Sequence, residues 1–154
     1  MLEQKQIITT EPVHAAALHL VIPKAKIQAA MGPGLQEVYA ALKAQGIAPA
    51  GPWFTHHFRM DPGTWDFEIC VPVAAPVKKA GRVSPVRTPA VRAARAVYRG
   101  GYEGLGAAWG EFDAWTRSQG HAPGEELWER YVAGPETGSD SAQWTTELTR
   151  PLAR

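Results

Sequence analysis

The sequence holds one cysteine, Cys70, among 154 residues. A lone thiol closes no internal disulfide, so packing alone must hold the fold, and nothing marks the chain for an oxidising compartment. Long hydrophobic runs are missing as well, since no stretch approaches the roughly 18 apolar residues of a bilayer span. The opening Met1-Leu2-Glu3-Gln4-Lys5-Gln6 lacks the apolar core of a signal peptide. These gaps make a cytoplasmic, soluble protein without membrane contact the expectation. The net charge is only +1, too balanced to argue for nucleic acid, which is not expected as a partner. Metal-ligand spacing is absent: His56 and His57 are adjacent, so on a strand they point to opposite faces, and His14, His19 and His121 stand apart. Neither a metal nor a cofactor is expected. Gly32-Pro33-Gly34 reads as a turn ahead of a helix, with neither the lysine of a phosphate loop nor a nucleotide fingerprint.

Charge is distributed unevenly even though it sums to little. Lys78, Lys79, Arg82, Arg87, Arg92, Arg95 and Arg99 follow one another without an acid, and from Glu103 to Glu147 acids dominate. The basic stretch 74–90 reads as a solvated linker with an edge strand, because lysine on an edge discourages aggregation. A phosphate-binding patch is the other reading.

The remainder of the chain is written twice. Strand patterns are expected at 15–22, 52–59 and 65–73, with a helix carrying Leu35, Val38, Tyr39 and Leu42 between the first two. A second set follows: strands at 91–98, 127–133 and 143–152, with a helix at about 102–118. Gln45-Gly46-Ile47-Ala48-Pro49 returns 74 positions later as Gln119-Gly120-His121-Ala122-Pro123, which pairs Thr55 with Glu129 and His57 with Tyr131. Glu68 and Pro72 return 79 positions later as Glu147 and Pro151. The expected architecture is therefore α+β: a single domain over 1–154, built from β-α-β-β repeats at 15–73 and 91–152. The two would pack about a pseudo-twofold axis into one antiparallel sheet, with both helices on one face and a central groove.

Tyr98-Arg99-Gly100-Gly101-Tyr102-Glu103-Gly104-Leu105, Trp115, Gln119-Gly120, Trp128-Glu129-Arg130-Tyr131 and Trp144-Thr145-Thr146-Glu147 with Pro151 follow in order. In this order they resemble the GyrI-like small-molecule-binding family, which includes the gyrase-inhibitory protein and the effector-binding domains of multidrug-sensing transcription regulators. The resemblance implies a duplicated fold with a pocket for hydrophobic, often cationic, molecules. Some stand-alone members are similar to hydrolases of strained cyclopropane electrophiles. Family regulators carry a DNA-binding module; here about fourteen residues precede the first expected strand, too few for a helix-turn-helix, and a stand-alone binder is expected.

Glu129 is the centre of the expected site. Alternation puts Leu127, Glu129 and Tyr131 on one strand face and Trp128 and Arg130 on the other. A carboxylate on an apolar face costs several kcal/mol unless it is partnered or neutralised. The resemblance gives Glu129 the role of the pocket acid that meets cations; the alternative is a solvent-facing acid or a partner of Arg130. Tyr131 would orient a ligand or donate a proton, or be a strand aromatic only. Trp109, Trp144 and Tyr102 are the candidate aromatic walls, although a helix stripe of Tyr102, Leu105, Trp109 and Phe112 is also what a plain core looks like. Thr55 and His57 complete the candidate ligand-binding set by repeat position. Glu68 and Glu147, repeated in place, read as structural. As an enzyme the chain would be a hydrolase, with Glu129 as general base and Tyr131 as acid. A protein partner such as gyrase is a third class, and the basic stretch weakens it.

Overall fold

The computed structural model describes residues 1–153. Among them the order is β1 (Leu2–Thr9), β2 (His14–Pro23), α1 (Ile27–Ala44), β3 (Phe54–Met60), β4 (Thr64–Pro72), β5 (Val83–Arg87), β6 (Arg92–Arg99), α2 (Leu105–Ser118), β7 (Leu127–Ala133) and β8 (Thr145–Pro151). The architecture is α+β, and the strand pairings within each unit are antiparallel. The chain divides into two compact units, one of Glu11–Ala90 and one of Met1–Thr10 with the residues from Val91 onward.

In the unit Glu11–Ala90 the strands lie side by side as β5-β2-β4-β3. Alternation sends Ala16, Leu18 and Leu20 of β2 and Phe67, Ile69 and Val71 of β4 to one side, where Val38 and Leu42 of α1 close over them. The other unit repeats this order as β1-β6-β8-β7. Ala94, Ala96 and Tyr98 of β6, Leu127 of β7 and Leu148 of β8 meet Ala108, Trp109 and Phe112 of α2. Each unit is thus the expected β-α-β-β repeat plus one strand beside its first.

One of those extra strands corrects the reading, and the other is the edge strand expected in the basic stretch. Ahead of position 15, where no strand was expected, Leu2–Thr9 is a strand, paired with β6. It escaped the alternation rule because an edge strand needs little apolar surface, and only Leu2 and Ile7 pack on the core. A register shift between Glu3 and Gln6, with Gln4 at φ 53°, also breaks its period. The basic stretch holds β5, an edge strand whose Pro85 suits an edge. That stretch is also tied down: the Gln45 amide donates to the Lys78 carbonyl and accepts from its N–H, at 2.9 and 3.0 Å. Arg82 donates to both oxygens of Glu37 at 3.0 and 2.8 Å, which holds the Glu37 carboxyl below its ordinary value. Arg99 is likewise held by Glu3, and Arg95 lies 3.5 Å from Glu147. Three bases of the acid-free stretch are therefore paired with separate acids, and the phosphate-patch reading loses three of its seven members.

Gly32-Pro33-Gly34 is no turn but part of α1. Proline inside a helix removes one backbone bond and costs about 3 kcal/mol, yet tertiary packing overrides it. A Cβ on Gly34 would stand 2.6 Å from Ile69 Cδ1 and 3.2 Å from Leu18 Cδ2, so glycine lets the helix settle onto the sheet. The repeated Gln-Gly ends each helix in the same way. Gly46 and Gly120 take φ of 67° and 82°, and Ile47 and His121 donate back to Leu42 and Thr116 at 2.9 and 3.3 Å. This is the paired-bond cap that a left-handed residue allows.

Candidate functional site

The expected face of β7 is the face that forms. Leu127 enters the core under α2, and Glu129 and Tyr131 follow it at spacing two. Glu129 is half-buried, whereas Tyr131 and Trp109 are buried. The Tyr131 hydroxyl donates to Glu129 Oε1 at 2.7 Å, and the Trp109 indole N–H donates to Oε2 at 2.7 Å. Each carboxylate oxygen thus accepts one short, charge-assisted bond, leaving acceptor capacity on both. Burial holds the Glu129 carboxyl above its ordinary value, and the two donors oppose that rise without cancelling it.

Aromatic rings continue outward from this carboxylate. Tyr102 meets Tyr131 edge to face with centroids 5.8 Å apart, and lies 5.0 Å from Trp144. Trp144 is fixed by its own N–H, which donates to the Gly138 carbonyl at 3.0 Å. Burial, then the charges of Glu136 and Glu129, raise the Tyr102 phenol above its usual range, so it stays neutral in ordinary buffers. The preceding Tyr98 serves the backbone: its hydroxyl donates to the Gly101 carbonyl at 2.8 Å and fills the space a side chain at Gly104 would need. That contact accounts for the tyrosine-and-glycine spacing of the segment.

Five of the seven candidate binding residues, Glu129, Tyr131, Trp109, Tyr102 and Trp144, are therefore brought together in one unit. Thr55 and His57 belong to the other. They are buried, with His57 Nε2 3.1 Å from Thr55 Oγ1. His57 stacks on Phe67 with centroids 5.2 Å apart, and desolvation lowers it to about 4, so it is neutral at pH 7. Glu147 lies 3.4 Å from Arg130 and 3.5 Å from Arg95, and Glu68 lies 3.8 Å from His56, all across neighbouring strands. Cys70 is buried, and burial pushes its thiol up, away from reactivity. Two residues absent from the sequence reading also reach the site's edge: Arg150 over the Trp109 ring, and Asp113 beside Arg150. The strand phase shared by Thr146, Leu148 and Arg150 was the available signal.

Among the described residues no helix is long and apolar enough to cross a membrane. The family model of the GyrI-like small molecule binding domain matches residues 4–153. Among solved structures, the C-terminal domain of EcmrR superposes with a TM-score of 0.84 at 23% identity, over 98% of both chains. In the EcmrR–DNA complex the match covers 98% of this chain but 57% of that longer one. A hydrolase from Listeria innocua gives a TM-score of 0.69 at 13% identity, over 97% of this chain and 92% of that one. SAV2435 bound to tetraphenylphosphonium gives 0.66 at 11% identity, over 98% and 94%. No curated protein matches the chain. At these identities the structures speak for the fold, and the family match over nearly the full length is what decides membership. The chain belongs to the GyrI-like family of small molecule binding domains.

Proposed function

We propose that the protein binds a hydrophobic cation whose charge is set against Glu129 and whose apolar body lies on Tyr102, Tyr131 and Trp144. The observation that carries this reading is the half-buried Glu129 carboxylate, oriented by two short donors and bordered by aromatic rings. Keeping a charge there is costly unless a counter-charge arrives. Large aromatic faces accept varied shapes and attract cations by about 0.5–2 kcal/mol each. A structure of the same fold binds tetraphenylphosphonium, which supports that ion as the probe.

Tryptophan fluorescence titration tests the reading. Tetraphenylphosphonium should quench saturably at pH 7.5, with a weaker response to neutral triphenylphosphine oxide. Its charge does not titrate, so any pH dependence belongs to the protein. Since the Glu129 carboxyl is held above 4.5, cation affinity should fall as pH drops through that raised value, with at most one proton exchanged per ligand. Equal affinity for both probes, or a flat pH profile for the cation, overturns the proposal.

A hydrolytic use of the same site is the second reading, favoured by the Tyr131 hydroxyl lying on the Glu129 carboxylate. There the carboxylate would take a proton from water while the phenol supplies one to the leaving group. The similar fold of a hydrolase supports testing it. Incubation with an activated cyclopropane should then yield more than one equivalent of ring-opened product, and product that stops at one equivalent or below removes this reading.

A further inference from the structure

Arg150 occupies β8 in the phase of Thr146 and Leu148, both fully buried, so a position that should be apolar carries a guanidinium. Its Nη2 lies 3.5 Å from Asp113 Oδ2, and its Cζ stands over the Trp109 ring, 5.7 Å from the centroid. Asp113 follows Trp109 by four residues on α2, so both belong to one face of the helix. The ion pair is incompletely satisfied: Arg150 Nε and Asp113 Oδ1 are buried without a hydrogen-bond partner. Burial pulls the guanidinium below its ordinary value and lifts the Asp113 carboxyl above its own. Such a pair stabilises a fold little, if at all, relative to apolar residues of the same shape. Its placement beside Trp109 gives it another use.

Trp109 is engaged on two sides. Its N–H goes to Glu129 and its ring face to Arg150. A guanidinium over an indole face is attracted by the ring quadrupole and holds the ring plane. Rotating the indole away from Glu129 would therefore also take it off Arg150. We infer that Arg150, held by Asp113, is a positioning residue that keeps the Trp109 N–H on Glu129, so that Trp109 serves the site as a hydrogen-bond donor and not as a wall for the ligand. The surface for the cation is then Tyr102, Tyr131 and Trp144. The binding consequence rests on the proposed role of Glu129; the orientation of the indole does not.

Proton–nitrogen spectra of the six indoles separate the two, with Trp109 assigned through Trp109→Phe. In the double variant Asp113→Asn/Arg150→Met the Trp109 N–H resonance should move and its hydrogen exchange should speed up, while the other indoles keep their positions. Tetraphenylphosphonium affinity should fall about tenfold. Arg150→Lys should give an intermediate shift, because lysine keeps the charge and loses the planar stack; it also serves as the test should the double variant fail to fold. Trp109→Phe, which keeps a ring and removes the donor, should weaken the cation as much as the double variant does. An unmoved Trp109 resonance overturns the positioning role whatever binding does. A moved resonance with unchanged affinity, where Glu129→Gln does lower affinity, overturns its link to binding. If Glu129→Gln also leaves affinity unchanged, the cation site itself has failed and the resonance alone decides the positioning role.

Discussion

Glu129→Gln should weaken tetraphenylphosphonium by about 2–3 kcal/mol, tens-fold to a hundredfold, the range for removing one partner of a desolvated charge pair. Triphenylphosphine oxide should be nearly unaffected, since glutamine keeps the shape: its one carbonyl oxygen can accept from the Trp109 N–H while its NH2 donates to the Tyr131 hydroxyl, which can turn to accept. Paired titrations of wild type and variant with both probes measure the difference directly. Equal losses for both would mean that the carboxylate shapes the site and its charge is irrelevant. The same substitution has an opposite consequence for the empty protein. Burial holds the folded Glu129 carboxyl above its ordinary value of 4.5, so the folded state binds this proton more tightly than the unfolded chain. The group's stabilising share is full below about pH 4.5 and is lost as pH rises through the folded value. At pH 7 the ionised carboxylate is then a liability that glutamine removes. Melting curves should place the variant no lower than wild type at pH 7, with the gap closing toward pH 4. A variant that melted well below wild type at pH 7 would make Glu129 an anchor of the fold. A gain in stability alongside a loss of cation affinity would mark a charge retained for a ligand.

Phe112→Ala should cost about 3–5 kcal/mol, the range for deleting a buried phenyl ring. Phe112 is fully buried in α2. Its ring lies 5.9 Å from that of Trp109 and 6.0 Å, nearly parallel, from that of Trp115. Leucine fills much of the same volume, so Phe112→Leu should cost about 1.5 kcal/mol or less. Urea denaturation followed by circular dichroism reads both, as a lowered midpoint with an unchanged slope if only packing is lost. A loss below about 1 kcal/mol for alanine would show that the α2 core collapses around the gap. Because Phe112 supports the ring that donates to Glu129, Phe112→Leu should also lower tetraphenylphosphonium affinity while remaining folded. This links the helix stripe, read in sequence as plain core, to the site: the stripe is core, and one of its members, Trp109, turns its polar edge outward.

Much of this was legible before any coordinates. Glu129 and Tyr131 at spacing two on an apolar strand, with a tryptophan on the facing helix stripe, already placed an acid among aromatics. The double Gln-Gly marked two helix ends correctly because a cap depends on a few neighbouring residues. Thr55 and His57 entered the candidate set by repeat arithmetic; they belong to the other unit and contact each other. α1 running through Gly32-Pro33-Gly34 defied local propensity, because the penalty is local and the close packing of Gly34 on Ile69 and Leu18 is not.

The sequence by itself determined the duplication, the phase of each core strand, the helix stops and the family. Strand phase and helix stops follow from periods of 2 and 3.6 and from single-residue backbone preferences, which act over a few positions; the duplication rests on the repeated Gln-Gly-x-Ala-Pro, and the family on the ordered motifs that resemble it. Only the tertiary structure decided that Leu2–Thr9 pairs with β6, that Arg82, Arg95 and Arg99 of the acid-free stretch each find a different acid, and that Arg150, paired with Asp113, stands over Trp109. Edge pairing, ion pairs and ring contacts depend on which backbones are carried to within a few ångströms of each other. In this chain those partners stand tens of residues apart.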